Sequence, residues 1–251
     1  MKKTSLILAG VAFCVSINVR AESQVTVFSP GQNESIIVNE AENLAQLVTS
    51  PALAGKTWWP GTVIAEKNAT TAAQRQQQQL LARLKGWSTA LRAAGDSGKA
   101  AVVENVWQQI AAVRVTGRQF VNLDPDIVRV RATENRRLQG DYSLYMLQKP
   151  ATVTLAGLLA GSGKVTWQPG RSLVDYLANH DLLSGAQRNT AMLIGPAGDV
   201  SEVPVAYWNR RHREPEAGSI LYIGFSSWSL PGEYQDLNQQ IIAVLTHRIP
   251  D

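Results

Sequence analysis

Apolar and polar positions along the chain fall into blocks, and one order of blocks occurs twice. Val25-Thr-Val-Phe28 and Ser35-Ile-Ile-Val38 are short strand-like runs around Ser29-Pro30-Gly31, and Glu42 to Val48 then sets Leu44, Leu47 and Val48 on one helical face. The order returns after residue 150, with Val153-Thr-Leu155 and Val165-Thr-Trp167 flanking Gly157 to Gly163. Ser172 to Leu177 follows as a helix, Ser172 in capping position and Asp175 three residues on. Each half closes on a late strand, Asp141 to Leu147 and Gly218 to Gly224, and Ile127-Val-Arg-Val130 reads as a further strand in the first half. A hairpin, a crossing helix and returning strands are the order of a β-grasp domain. The predicted fold class is therefore α+β, with two tandem β-grasp units.

The first unit is interrupted. Between Trp58-Trp59-Pro60-Gly61 and Ile127, Leu80, Leu84, Trp87 and Leu91 recur every three or four residues, as do Val102, Val106, Ile110 and Val113. Two amphipathic helices joined at Gly95-Asp96-Ser97-Gly98 predict an antiparallel hairpin. Trp59, Pro60, Gly61 and Gly117 are read as structural turn residues at its two ends. Leu237, Ile241, Val244 and Leu245 make one stripe of a terminal amphipathic helix, which docks on the neighbouring core in the plainer reading and meets a partner or membrane in the sharper one. The predicted organisation is a first unit at 22–151 with its insert at about 66–115, a second unit at 152–231 and a terminal helix at 232–251.

Gly161-Ser162-Gly163-Lys164 suggests a phosphate-binding loop, but Leu158 stands where the first Walker glycine belongs and Val165 where Ser or Thr should bind magnesium. Hairpin-turn glycines are the better reading, because glycine reaches positive φ at little cost.

Residues 1–21 carry Lys2 and Lys3, an apolar run from Leu6 to Ile17, and Val19-Arg20-Ala21, with small residues where signal peptidase reads. The run is shorter than the roughly 20 residues of a spanning helix, and Phe13 before Cys14 does not suit lipoprotein processing. A cleaved signal and a soluble protein in the periplasm are expected. Cys14 is the single cysteine, so the mature chain would have neither disulfide nor thiolate metal site. Lys2, Lys3 and Arg20 are three of the 24 basic residues, which leaves 21 against 20 acidic ones. Near neutrality offers no general attraction to nucleic acid or anionic lipid.

Catalytic signatures are scarce. Gly224-Phe-Ser-Ser-Trp228 lacks the second glycine of a nucleophile elbow, and His180, His212 and His247 stand far apart, so no catalytic residue, metal or cofactor is predicted. Asp124 and Asp126 are the acidic pair that glycoside hydrolysis would use, yet Asp124-Pro125-Asp126 has the composition of a turn. Two basic features remain. Arg118, in Thr116-Gly117-Arg118, lies where the insert rejoins the first sheet, so its donors are placed to tie insert, sheet and second unit together; the bland alternative is a surface ion pair. Trp208, Arg210 and Arg211, after Val205-Ala-Tyr207, set aromatic beside basic groups as a candidate surface for sugars or acidic polysaccharide, against the plainer reading of a solvated loop rim.

The order of words along the chain resembles the GfcC-like, or YjbG-like, proteins of bacterial group 4 capsule and exopolysaccharide clusters. The matching words are Leu47-Val48, Trp58-Trp59-Pro60-Gly61, Thr116-Gly117-Arg118, Leu123-Asp124-Pro125-Asp126, Val128-Arg129-Val130, Leu138-Gln139-Gly140-Asp141-Tyr142, Pro169-Gly170-Arg171, Pro204 to Asn209 and Leu245 to Pro250. The likeness departs at Asn135-Arg136-Arg137, where prolines are expected. It implies a periplasmic protein of tandem β-grasp domains with a helical insert and a terminal amphipathic helix, similar in arrangement to part of an outer-membrane polysaccharide export pore; a monomer is expected. It also implies a functionally important arginine at Arg118, and it supplies no enzymatic reaction. The expected partners are capsule or exopolysaccharide export proteins or the polysaccharide itself, with peripheral outer-membrane association. A polysaccharide-modifying enzyme using Asp124 or Asp126 with Arg118 is the rival.

Overall fold

The computed structural model describes residues 23–31, 34–39, 41–53, 55 and 57–250; the predicted signal lies outside them. The molecule is α+β, with two sheets and several helices. In the first sheet, β1 (Gln24–Phe28) pairs antiparallel with β2 (Ser35–Asn39) and parallel with β4 (Asp141–Tyr145), which pairs antiparallel with β3 (Val63–Glu66). Val25 and Val27 alternate with Gln24, Thr26 and Phe28 and so share one buried face, on which α1 (Leu44–Val48) lies. Asn43 caps α1, its side chain accepting the N–H of Gln46 at 3.0 Å. The loop that departs from the family pattern is tied to this helix: Asn135 Oδ1 accepts the N–H of Ala45 at 2.9 Å, and the carbonyl of Arg136 that of Leu44 at 2.9 Å.

One expectation is overturned here. Residues 127–130 do not form a strand; they end the helix α4 (Pro125–Val130). Pro125 at its first position has a preset φ and no N–H to lose, and the Asp124 carboxylate accepts the N–H of Asp126 at 2.9 Å. These start signals outweigh the Val128-Arg129-Val130 alternation, of which only Val128 is buried while Val130 points to solvent.

The second sheet has the order β6 (Gly163–Thr166), β5 (Thr152–Gly157), β9 (Ile220–Ile223), β7 (Thr190–Ile194), β8 (Val200–Pro204). Its central pair, β5 and β9, is parallel and the rest antiparallel. Gly161 and Gly163 have φ of 71° and 140° in the hairpin between β5 and β6, and Lys164 pairs with Thr154 within the sheet. The glycine–lysine stretch is thus a turn and an edge strand, not a phosphate cradle. α5 (Leu173–Leu177) opens on a complete capping box between Ser172 and Asp175.

The inserted hairpin is α2 (Lys67–Ala93) and α3 (Ser97–Ala111), and the terminal helix is α6 (Leu237–Thr246). Their apolar stripes do not serve the first sheet. Leu84, Trp87 and Ile110 share one buried cluster with Val153 and Leu221 of the second sheet and Ile241 of α6. Trp87 stacks on Tyr234 at 4.9 Å between ring centres and tilts against Phe225 at 5.3 Å. Polar contacts follow the same direction. The Gln109 amide accepts the Gly157 N–H at 2.7 Å and donates to its carbonyl at 3.1 Å, and Lys99 donates to the carbonyl of Ser229 at 3.0 Å.

Candidate functional site

Thr116-Gly117-Arg118 leaves the hairpin and runs between three parts of the molecule. On one side Gly117 accepts the N–H of Glu66 at 3.1 Å and Gln119 donates to Ile64 at 2.8 Å, which extends β3. On the other, Thr116 donates to the carbonyl of His247 at 2.9 Å and Ile249 donates to Arg114 at 2.8 Å, which binds the end of the chain. Gly117 is required by proximity: a Cβ there would lie 2.2 Å from the backbone nitrogen of Thr70 and 2.4 Å from the carbonyl carbon of Ala69. Thr70 Oγ1 accepts the Gly117 N–H at 2.9 Å across that approach. The Trp59–Gly61 turn is a single 3-10 turn elsewhere in the first half, and a Cβ on Gly61 would meet the Trp58 ring at 2.6 Å.

Arg118 points into this junction and is only 5% exposed. Its guanidinium donates to the carbonyl of Pro196 at 2.6 Å and, at the long distance of 3.5 Å, to that of Thr246. It thereby joins the first half to the β7–β8 turn and to α6. The Phe120 ring centre lies 5.9 Å from the guanidinium carbon and meets the His247 ring edge-on at 5.3 Å. Burial pulls the guanidinium down to about 10, an effect that the charge of Asp199 opposes. At neutral pH it stays protonated, a buried cation held by backbone carbonyls. Such an arrangement costs desolvation and is specific in return, because only a group with several donors at fixed angles reaches both carbonyls.

The other candidates are elsewhere. Tyr207 and Trp208 are 88% and 76% exposed on the turn after β8, and Arg210 lies 5.4 Å over the Tyr207 ring. Arg211 is exposed beside them. Neither Trp208 nor the two arginines touches Arg118 in any described contact. Asp124 and Asp126 sit at the start of α4, two residues apart, where the Asp124 carboxylate is occupied as the cap that accepts the Asp126 N–H. Among the described residues, no group of three or more His, Cys, Asp or Glu side chains is placed to hold a metal ion.

Sequence reasoning passed over the partners of Arg118. Pro196, Gly198 and Asp199 belong to the β7–β8 turn, signalled by Gly195-Pro196-Ala197-Gly198-Asp199 between two apolar runs. A Cβ on Gly198 would lie 2.8 Å from the Phe120 ring and 3.2 Å from the guanidinium carbon, so the turn fits closely over the arginine.

Comparison with known proteins places these features. Residues 21–149 match the family described as "Capsule biosynthesis GfcC, N-terminal", and residues 161–250 match "Capsule biosynthesis GfcC C-terminal". A relative from Escherichia coli (strain K12), named "Uncharacterized protein YjbG", is 47% identical over 246 residues, covering 96% of this chain and 97% of its own. The chain therefore belongs to the GfcC capsule biosynthesis family.

Proposed function

We propose that the chain is a non-catalytic periplasmic accessory protein for assembly or export of group 4 capsule or a related exopolysaccharide, built from two tandem β-grasp units and acting through protein or glycan contacts. The match of both capsule biosynthesis domains over nearly the whole chain carries this reading. The β-grasp assignment is supported by the parallel central pairs, β1 with β4 and β5 with β9, each flanked by antiparallel neighbours. The compartment rests on the features of residues 1–21. The non-catalytic part is supported by the use of Asp124 as a helix cap and of Arg118 as a tie between backbone carbonyls. A buried arginine fastening two sheets suits a rigid adaptor that presents its surfaces.

Deleting the coding sequence tests the reading. Surface polysaccharide should fall and be restored by the full chain, which osmotic shock should release with the periplasmic fraction. Unchanged polysaccharide in the deletion strain would overturn it. Purified protein incubated with the polysaccharide should yield no new reducing ends; their appearance would favour the enzymatic rival.

A further inference from the structure

Twelve residues on the connection from β8 to β9 are left without a role by the junction. β8 ends at Pro204 beside the start of β7, whereas β9 begins at Ile220 beside the end of β7, so the chain between them crosses the sheet from one end to the other. Hydrogen bonds mark its path. Val205 donates to Asn189 at 2.9 Å beside the start of β7, and Arg213 accepts from Leu173 of α5 at 2.8 Å. Farther on, the Glu214 carboxylate accepts from Gly170 at 3.2 Å, and Pro215 accepts the indole N–H of Trp167, just beyond β6, at 2.9 Å. The segment therefore runs diagonally, from the β8 edge at one end of the sheet to the β6 edge at the other, about 20 Å measured across the strands at ordinary spacing.

Aromatic rings stand at both ends of this line, with arginines between them. Tyr207 and Trp208 stand at one end with Arg210 over the Tyr207 ring, exposed Arg211 and Arg213 follow, and Lys149 lies 5.2 Å over the Trp167 ring at the other end. Glu214 and Glu216 are the acidic groups within the run; Glu214 is paired with His212 at 3.0 Å, and Glu216 is exposed at the far end. Among the described residues no carboxylate pairs with Arg210, Arg211 or Arg213.

We propose that residues 205–216, together with Trp167 and Lys149, form a surface for a linear carboxylate-bearing polysaccharide. This deepens the capsule-assembly reading and rests on it. An exposed indole or phenol ring offers a flat apolar face to the C–H face of a sugar ring, while its polar tip stays in water. A guanidinium fork matches a carboxylate in two parallel hydrogen bonds. Rings at both ends of a long line with guanidinium groups between them suit a chain of sugar rings carrying an acid at intervals, and a single small anion would need only one such group. A bilayer fits less well. An interfacial segment buries an aliphatic stripe, and between Tyr207 and Arg213 there is no aliphatic side chain.

The test titrates the full chain with polygalacturonate, dextran and phosphatidylglycerol vesicles, following tryptophan fluorescence and binding heat. Polygalacturonate should bind, more weakly as salt rises, and dextran and vesicles should not. The double variant Arg210→Gln, Arg211→Gln should bind about tenfold more weakly, equivalent to roughly 1.4 kcal/mol, and Trp208→Ala should also lose affinity. All three side chains are on the surface, so the variants should unfold like the parent. No binding of polygalacturonate, equal binding of dextran, preference for vesicles, or variants that bind as the parent does would each overturn the proposal. If the full chain restores polysaccharide in the deletion strain yet binds no polygalacturonate, this surface assignment fails and the capsule reading stands. If deletion changes nothing, the capsule reading fails and the titration still decides the surface.

Discussion

The four-stranded sheet closes its core with elements of its own half, α1 and α4 above Val25, Val27, Ile64 and Leu144. The five-stranded sheet instead takes Leu84, Trp87 and Ile110 from a hairpin that belongs to the other half in sequence, and Ile241 from the end of the chain. The difference shows that an insertion need not serve the domain it interrupts. An amphipathic hairpin has to bury its stripe somewhere, and here burying it fixes the position of one sheet against the other. Arg118 then fastens the root of the hairpin to both the β7–β8 turn and α6.

Breaking the borrowed core should have the largest effect. Leu84→Ala should cost about 2–5 kcal/mol and Trp87→Ala about 3–5 kcal/mol in urea unfolding, although neither residue lies in the second half of the chain. A loss under about 1 kcal/mol would mean that the hairpin merely lies on the second sheet. Arg118→Ala comes next. It leaves the Pro196 carbonyl buried without its donor, a loss of about 1–3 kcal/mol, and Arg118→Lys should recover only part of it because an ammonium cannot span both carbonyls. Gly117→Ala should cost a similar ~1–3 kcal/mol, since the obstruction is backbone rather than a movable side chain. Asp124→Ala should cost about 1 kcal/mol through its cap, with loosening confined to the first half.

The smallest effect concerns pH. The Arg83 hydrogen bond holds the Asp236 carboxyl below the ordinary carboxylate range, and this pair joins α2 to the start of α6. A carboxyl with a lowered pKa contributes stability above its unfolded pKa and loses it as pH falls through the lowered value. Acidification through that range should therefore loosen α6 in the parent and do so less in Asp236→Asn, as read by exchange of α6 amides. Identical acid responses would remove the pair from the account.

The elements were legible in sequence to unequal degrees. The hairpin was plain from the spacing of Leu80, Leu84 and Trp87, but an apolar stripe does not name its partner, so the sheet it covers was hidden. β3 is four residues placed directly before α2, too short for alternation to show. β7 and β8 flank a Gly-Pro turn, and that turn is the sequence signal of their hairpin. At 127–130, two valines in alternation suggested a strand, while Asp124 and Pro125 carried the decisive helix start. The location of Arg118 could be read from Thr116-Gly117-Arg118 at the end of the insert. Its acceptors could not, because backbone carbonyls of Pro196 and Thr246 carry no mark in the residue types around them.

Amide hydrogen exchange on Leu84→Ala tests most directly whether the inserted hairpin completes the second core. Protection should fall in β5 and β9, distant in sequence from the substitution, while β1 keeps that of the parent protein. Loss confined to α2 and α3, or shared with β1 while β5 and β9 are unchanged, would contradict the account.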